Sequence, residues 1–133
     1  HPLLLETNLS LKKLAAYPLI TYDFGFTGGT LVSTTFSNAG LAPNVVLTAI
    51  DADVIKTYVS LGLGVGLLAN MAYDDERDAS LVKVDVSHLF ADSTTYLGVR
   101  KDAFLRSYMY GFIELIAPQF NQAAVNAALK ISA

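Results

Sequence analysis

The chain has 133 residues, 53% of them hydrophobic and 16% charged, which is enough for one domain with a buried core and excludes a disordered segment. Nine lysines and arginines against twelve aspartates and glutamates leave a net charge of -3, which argues against a surface that grips DNA. With no cysteine, a disulfide framework, a thiolate nucleophile and a cysteine-ligated zinc are all excluded.

The chain opens His1-Pro2-Leu3, with no initiator Met and no leader pattern, and reads as a piece of a longer polypeptide. Ser10 caps a short amphipathic helix over Leu11 to Ala16, which Tyr17-Pro18 ends because proline disfavours helix at the residue before it. Leu19-Ile20-Thr21-Tyr22 is β-rich and reads as a strand. The loop Phe24 to Gly29 follows, then a helix of about ten residues from Thr30, which Asn38-Ala39-Gly40 stops with a left-handed residue. Val45 to Ala49 is a second strand. Asp51 caps a helix over Ala52 to Leu61, and Gly62 sits where that helix must turn left-handed.

Leu63 to Ala69 reads as a buried strand, Tyr73 to Asp78 as a charged surface turn, and Leu81 to Val86 as an alternating, half-buried strand. Thr95 to Arg100 is one more strand, before a long helix from about Ala103 to Ala117 that Pro118 ends. Asn121 then opens a last, alanine-rich helix. Alternating strands and helices predict an α/β layer on a mainly parallel sheet. The charge-free stretch from Phe24 to Ile50 is broken by glycines, Pro43 and hydroxyls, so it does not cross a bilayer as a helix, and the cytoplasm is the expected compartment.

Few residues offer chemistry. Gly62-x-Gly64-x-Gly66 follows a helix and enters a strand, the reverse of a dinucleotide fingerprint, so it reads as a helix stop with close packing. Asp51 and Asp53 read as a cap and a dipole partner rather than an acid/base pair, and the run from Asp74 to Asp78 lacks the spacing of a calcium loop. His1 and His88 form no metal pair and complete no triad, so no catalytic residue, metal site or cofactor is expected. Phe104, Tyr108, Phe112 and Ile116 recur in steps of four and read as a core-packing helix face. The loop Gly25 to Thr30 leaves a strand and opens a helix. That geometry aims free amides at the carboxyl edge of the sheet, and it suits either a small anion or a plain turn.

Tyr17 to Tyr22, Phe24-Gly25-Phe26-Thr27-Gly28, Asp51 to Val59, Leu61 to Gly66 and Phe104 to Tyr110 together resemble the effector-binding domain of LysR-type transcriptional regulators. Asp51-Ala52-Asp53-Val54-Ile55-Lys56-Thr57-Tyr58 and Phe104 to Tyr110 narrow the resemblance to the CysB-like branch, which governs cysteine biosynthesis and sulfur assimilation. The resemblance implies an α/β effector domain like the type 2 periplasmic binding proteins, mainly its second lobe, with a mixed sheet and flanking helices. Residues 1–93 would form lobe two, and residues 94–133 a returning strand and C-terminal helices directed towards lobe one. It implies no enzyme and no cofactor, but a small effector between the lobes, namely sulfate, thiosulfate or an O- or N-acetylserine-like molecule. Thr27, Gly28, Gly29 and Thr30 are the ligand-binding residues it points to. The partners implied are a homo-oligomer, whose contact uses the helix matching Thr30 to Ala39 and the strand matching Val45 to Ala49, and promoter DNA through an N-terminal domain outside this chain, with no membrane. Gly29 stands where the branch tends to carry arginine, and Ile50 where it often has threonine; both departures remove polar groups near the site. A solute-binding module for a transporter is the competing reading.

Overall fold

The computed structural model describes residues 1–100 and 103–129, and the chain divides into two compact units, His1–Ser93 and Thr94–Ala133. In the first, α1 (Leu11–Ala15) starts where Ser10 Oγ accepts the Lys13 amide at 3.3 Å, and it buries Leu14. Pro18 separates it from β1 (Leu19–Tyr22), whose Leu19, Ile20 and Thr21 are fully buried. A strand buried on both faces must be central. The sheet order is β2 (Val45–Ala49), β1, β3 (Val65–Leu67), all parallel, with Thr21 level with Thr48 on one side and Leu67 on the other. The Thr21 hydroxyl, which has no water to bond, donates to the Leu67 carbonyl at 3.0 Å.

Helix α2 (Thr27–Asn38) lies on β1, and α3 (Ala52–Ser60) touches all three strands. Side-chain alternation along β1 sorts the two layers. Leu19 joins Leu3, Leu14, Val32, Phe36 and Leu67 in one cluster, whereas Ile20 is level with Gly66, which faces Ile55 and Val59 of α3. Both helices stop as expected, at Gly40 (φ +66°) and Gly62 (φ +80°). In each, the two amides after the C-cap fold back onto the last turn, Leu41 to Phe36 and Leu63 to Tyr58 among them.

Three expectations change. Helix α2 begins at Thr27, three residues earlier than its propensity suggested, because Gly28 and Gly29 let it press against β1 where a side chain would not fit. Strand β3 is only Val65–Leu67. Neither Leu81 to Val86 nor Thr95 to Arg100 forms a strand: both carry β-type residues, but Val82, Val84, Tyr96 and Leu97 remain exposed without a neighbouring ladder.

The second unit is helical. Helix α4 (Ser107–Ile116) starts later than expected and ends before Pro118. Helix α5 (Gln122–Leu129) follows Asn121, whose Oδ1 accepts the Ala124 amide at 3.0 Å. Leu105, Ile113 and Val125 are buried together, and the Tyr110 hydroxyl donates to Asn126 Oδ1 at 2.7 Å. The stripe expected in the core instead faces outward: Phe104, Tyr108, Phe112 and Ile116 are exposed. Lys101, Asp102 and residues 130–133 of the 94–133 segment lie outside the described residues.

Candidate functional site

All three strands run the same way, so the chain leaves them at one edge of the sheet, where open parallel sheets hold ligands. At the centre of that edge, β1 passes through Asp23 to Phe26 into α2. The Asp23 amide donates to the Ala49 carbonyl at 2.9 Å, tying the loop to the end of β2, and the Phe26 amide donates to Asp23 at 3.0 Å. Phe26 occupies the N-cap and contributes no side-chain bond. The first intrahelical bond runs from the Thr30 amide to the Phe26 carbonyl at 2.9 Å, and the amides of Thr27, Gly28 and Gly29 meet no acceptor among the described residues. An uncapped helix start with three such donors attracts negative charge.

The four residues singled out in the sequence are therefore brought together but do different things. Thr27 is exposed, and no hydrogen bond within the described chain occupies its hydroxyl. Gly28 is half-buried against the Tyr22 ring. Gly29 is buried, and a Cβ there would stand 2.3 Å from the Asp23 carbonyl oxygen, so it serves the close approach of α2 to β1. Thr30 is committed to the loop, since its amide bonds Phe26 and its hydroxyl donates to the Phe24 carbonyl at 2.9 Å. No lysine or arginine occurs between Lys13 and Lys56, so the loop and helix that build this helix start bring no cation of their own, only backbone dipoles.

At the end of β2, Asp51 Oδ1 accepts the Asp53 amide at 2.7 Å and caps α3, as expected, while the Asp53 carboxylate pairs with Lys56 at 2.8 Å. Sequence reasoning missed the next partner. Asp78, read as part of a solvated turn, is buried, and its Oδ2 lies 2.9 Å from Lys56 Nζ. Its carboxyl is held below the ordinary 3.8 by the Asp74 amide and then by the Lys56 ammonium. Hydrogen bonds to Asp53 and Asp78 raise Lys56 above 10.5. Nothing in the run from Asp74 to Asp78 marks which of its acids turns inward; the signal lay in Lys56, a cation inside an amphipathic helix.

Among the described residues no group of three or more His, Asp or Glu is placed to hold a metal, and no helix is long and apolar enough to cross a membrane. A groove of about 420 Å³ runs along α2 and β2 between Phe24, Val32, Ser33, Leu41 and Val45.

The pattern described as the LysR substrate binding domain matches residues 1–121. The transcriptional regulator SsuR of Burkholderia cenocepacia is 55% identical over 130 residues, covering 98% of this chain and 42% of that protein. CysB of Haemophilus influenzae is 47% identical over 131 residues, 98% of this chain and 40% of that protein. The crystal structure of the cofactor-binding domain of the Cbl transcriptional regulator superposes with a TM-score of 0.87 at 37% identity, over 99% of this chain and 58% of that one. The chain thus spans about two fifths of the length of the curated relatives it matches.

Proposed function

Because the chain belongs to the family of LysR substrate-binding domains, we propose that it is the effector-sensing part of a regulator of cysteine biosynthesis or sulfur assimilation. It is a regulatory domain and not an enzyme: its relatives are transcriptional regulators, which also disfavours the transport reading. The effector is a small anion or an acetylated serine, sulfate, thiosulfate or O- or N-acetylserine, held at the carboxyl edge. The observation that carries this is the start of α2, where three amides without acceptors stand beside the exposed Thr27 hydroxyl. Thr27 and the amides of Gly28 and Gly29 bind the anion. Thr30 takes part by holding the loop through Phe24, since its own donors are engaged.

Residues 1–93 form the lobe that carries this site, and residues 94–133 return to the other lobe, whose remainder covers the outward face of α4. DNA is bound by the helix-turn-helix part of the longer polypeptide, in the cytoplasm and as a homo-oligomer, and effector binding acts on that oligomer only through its different affinity for two arrangements. Sulfate titration followed by amide NMR shifts tests the site. The wild type is expected to shift Thr27, Gly28 and Gly29. Thr27→Ala is expected to bind about tenfold more weakly, as loss of a bond to a charged acceptor requires, and Thr27→Ser to bind like the parent. No shift near Gly28, or an unaffected Thr27→Ala, would make the loop a plain turn.

A further inference from the structure

Thr21 is level with Leu67 and the two strands are parallel, so the chain leaves β3 at the same carboxyl edge at which β1 passes into the β1–α2 loop. From there the chain forms a strap, Asn70 to Leu81, organised by its own side chains. Asp74 Oδ1 accepts the amides of Glu76 at 3.0 Å and Arg77 at 2.9 Å, and the Tyr73 hydroxyl donates to the Leu81 carbonyl at 3.3 Å. The strap meets α3 at Lys56. The Lys56 ammonium donates to the Ala72 carbonyl at 3.0 Å and to Asp78 Oδ2 at 2.9 Å, its third hydrogen goes to Asp53, and Asp78 Oδ2 also accepts the Asp74 amide at 2.9 Å. Only 12% of the Lys56 side chain and 9% of the Asp78 side chain remain exposed.

A desolvated ion pair adds little net stability compared with apolar groups of the same size, but it tolerates only the arrangement in which every donor and acceptor is matched. We propose that Lys56 and Asp78 are positioning residues. They latch the strap to α3 and so set the wall of the effector cleft that the β3 exit forms beside Thr27. The inference rests on the effector role proposed for Thr27.

The test compares the 133-residue chain with Lys56→Met/Asp78→Leu, which replaces the pair by apolar groups, and with Lys56→Arg, which keeps the charge. Hydrogen exchange of amides 70–78, thermal unfolding and sulfate titration are measured on each. The double variant is expected to keep a melting temperature close to the parent's, to exchange its strap amides about tenfold faster or more, and to bind sulfate several-fold more weakly; Lys56→Arg is expected to recover most of both. Unchanged strap exchange in the double variant overturns the latch, and so does faster exchange with unchanged sulfate affinity. Loss of folding would make the pair a stability element and overturn the proposal as well. If the parent itself shows no sulfate response, the effector reading fails first and the positioning role falls with it, whereas a parent that binds beside a double variant that binds equally well refutes the latch alone.

Discussion

Asp78 carries its charge among groups on two elements: Lys56 and Asp53 on α3, and Asp74 and Arg77 on its own turn. Its folded pKa lies below the ordinary 3.8, so its contribution to stability is present above the carboxylate range and is lost as pH falls through the depressed value. Lys56 has the opposite sign: raised above 10.5, it contributes fully below that value and loses its contribution as pH rises beyond it. Asp74 and Asp85, held down by the amides of Arg77 and Glu76 and by Ser87, add to the acid limb. Denaturant unfolding at a series of pH values should therefore show Asp78→Asn less stable than the parent at pH 7, with the difference shrinking towards pH 2. At this scale the sequence revealed the caps Ser10, Asp51 and Asn121, because each acts on amides two or three residues away. Asp78 and Thr21 stayed hidden because their partners, Lys56 and Leu67, are 22 and 46 residues distant.

The elements legible in advance were those closed by local chemistry. Helices α1, α3 and α5 start at their expected caps, and α2 and α3 end at their expected glycines. Strands needed more than local propensity, since Leu81 to Val86 alternates properly and still pairs with no strand among the described residues. The two glycines between α3 and β3 can be told apart by experiment. Gly62 has open space around it and only its left-handed φ of +80° to protect, so Gly62→Ala should cost about 1 kcal/mol and Gly62→Asn less. A Cβ at Gly64 would stand 2.4 Å from the Pro18 carbonyl oxygen, so Gly64→Ala should cost about 1 to 3 kcal/mol or more, with asparagine no better. Equal sensitivity to alanine and asparagine at both positions, read from chemical denaturation, would refute this division.

Among the described residues the second unit leaves a run of large apolar side chains exposed, Phe104 ahead of α4 and Tyr108, Phe112, Leu115 and Ile116 on it. Each buried phenylalanine contributes roughly 1.5 to 3 kcal/mol, so the isolated chain should self-associate at high micromolar concentration, and Phe104→Glu/Phe112→Glu should shift sedimentation towards monomer. A clean monomer for the parent would contradict this. The order of the sheet also bears on how the chain acquires its structure. The central strand β1 precedes both of its neighbours in the chain, and its second neighbour ends only at Leu67. With no hairpin among the described strands, closing these distant pairings should make folding slower than that of a helical bundle of similar size. Until residues 65–67 are in place, β1 lacks its second neighbour, and the strand edge at Leu19-Ile20 stays unpaired. A chain ended at Ser60 should accordingly show no cooperative unfolding, although it already contains β1 and β2 and the helices α1, α2 and α3.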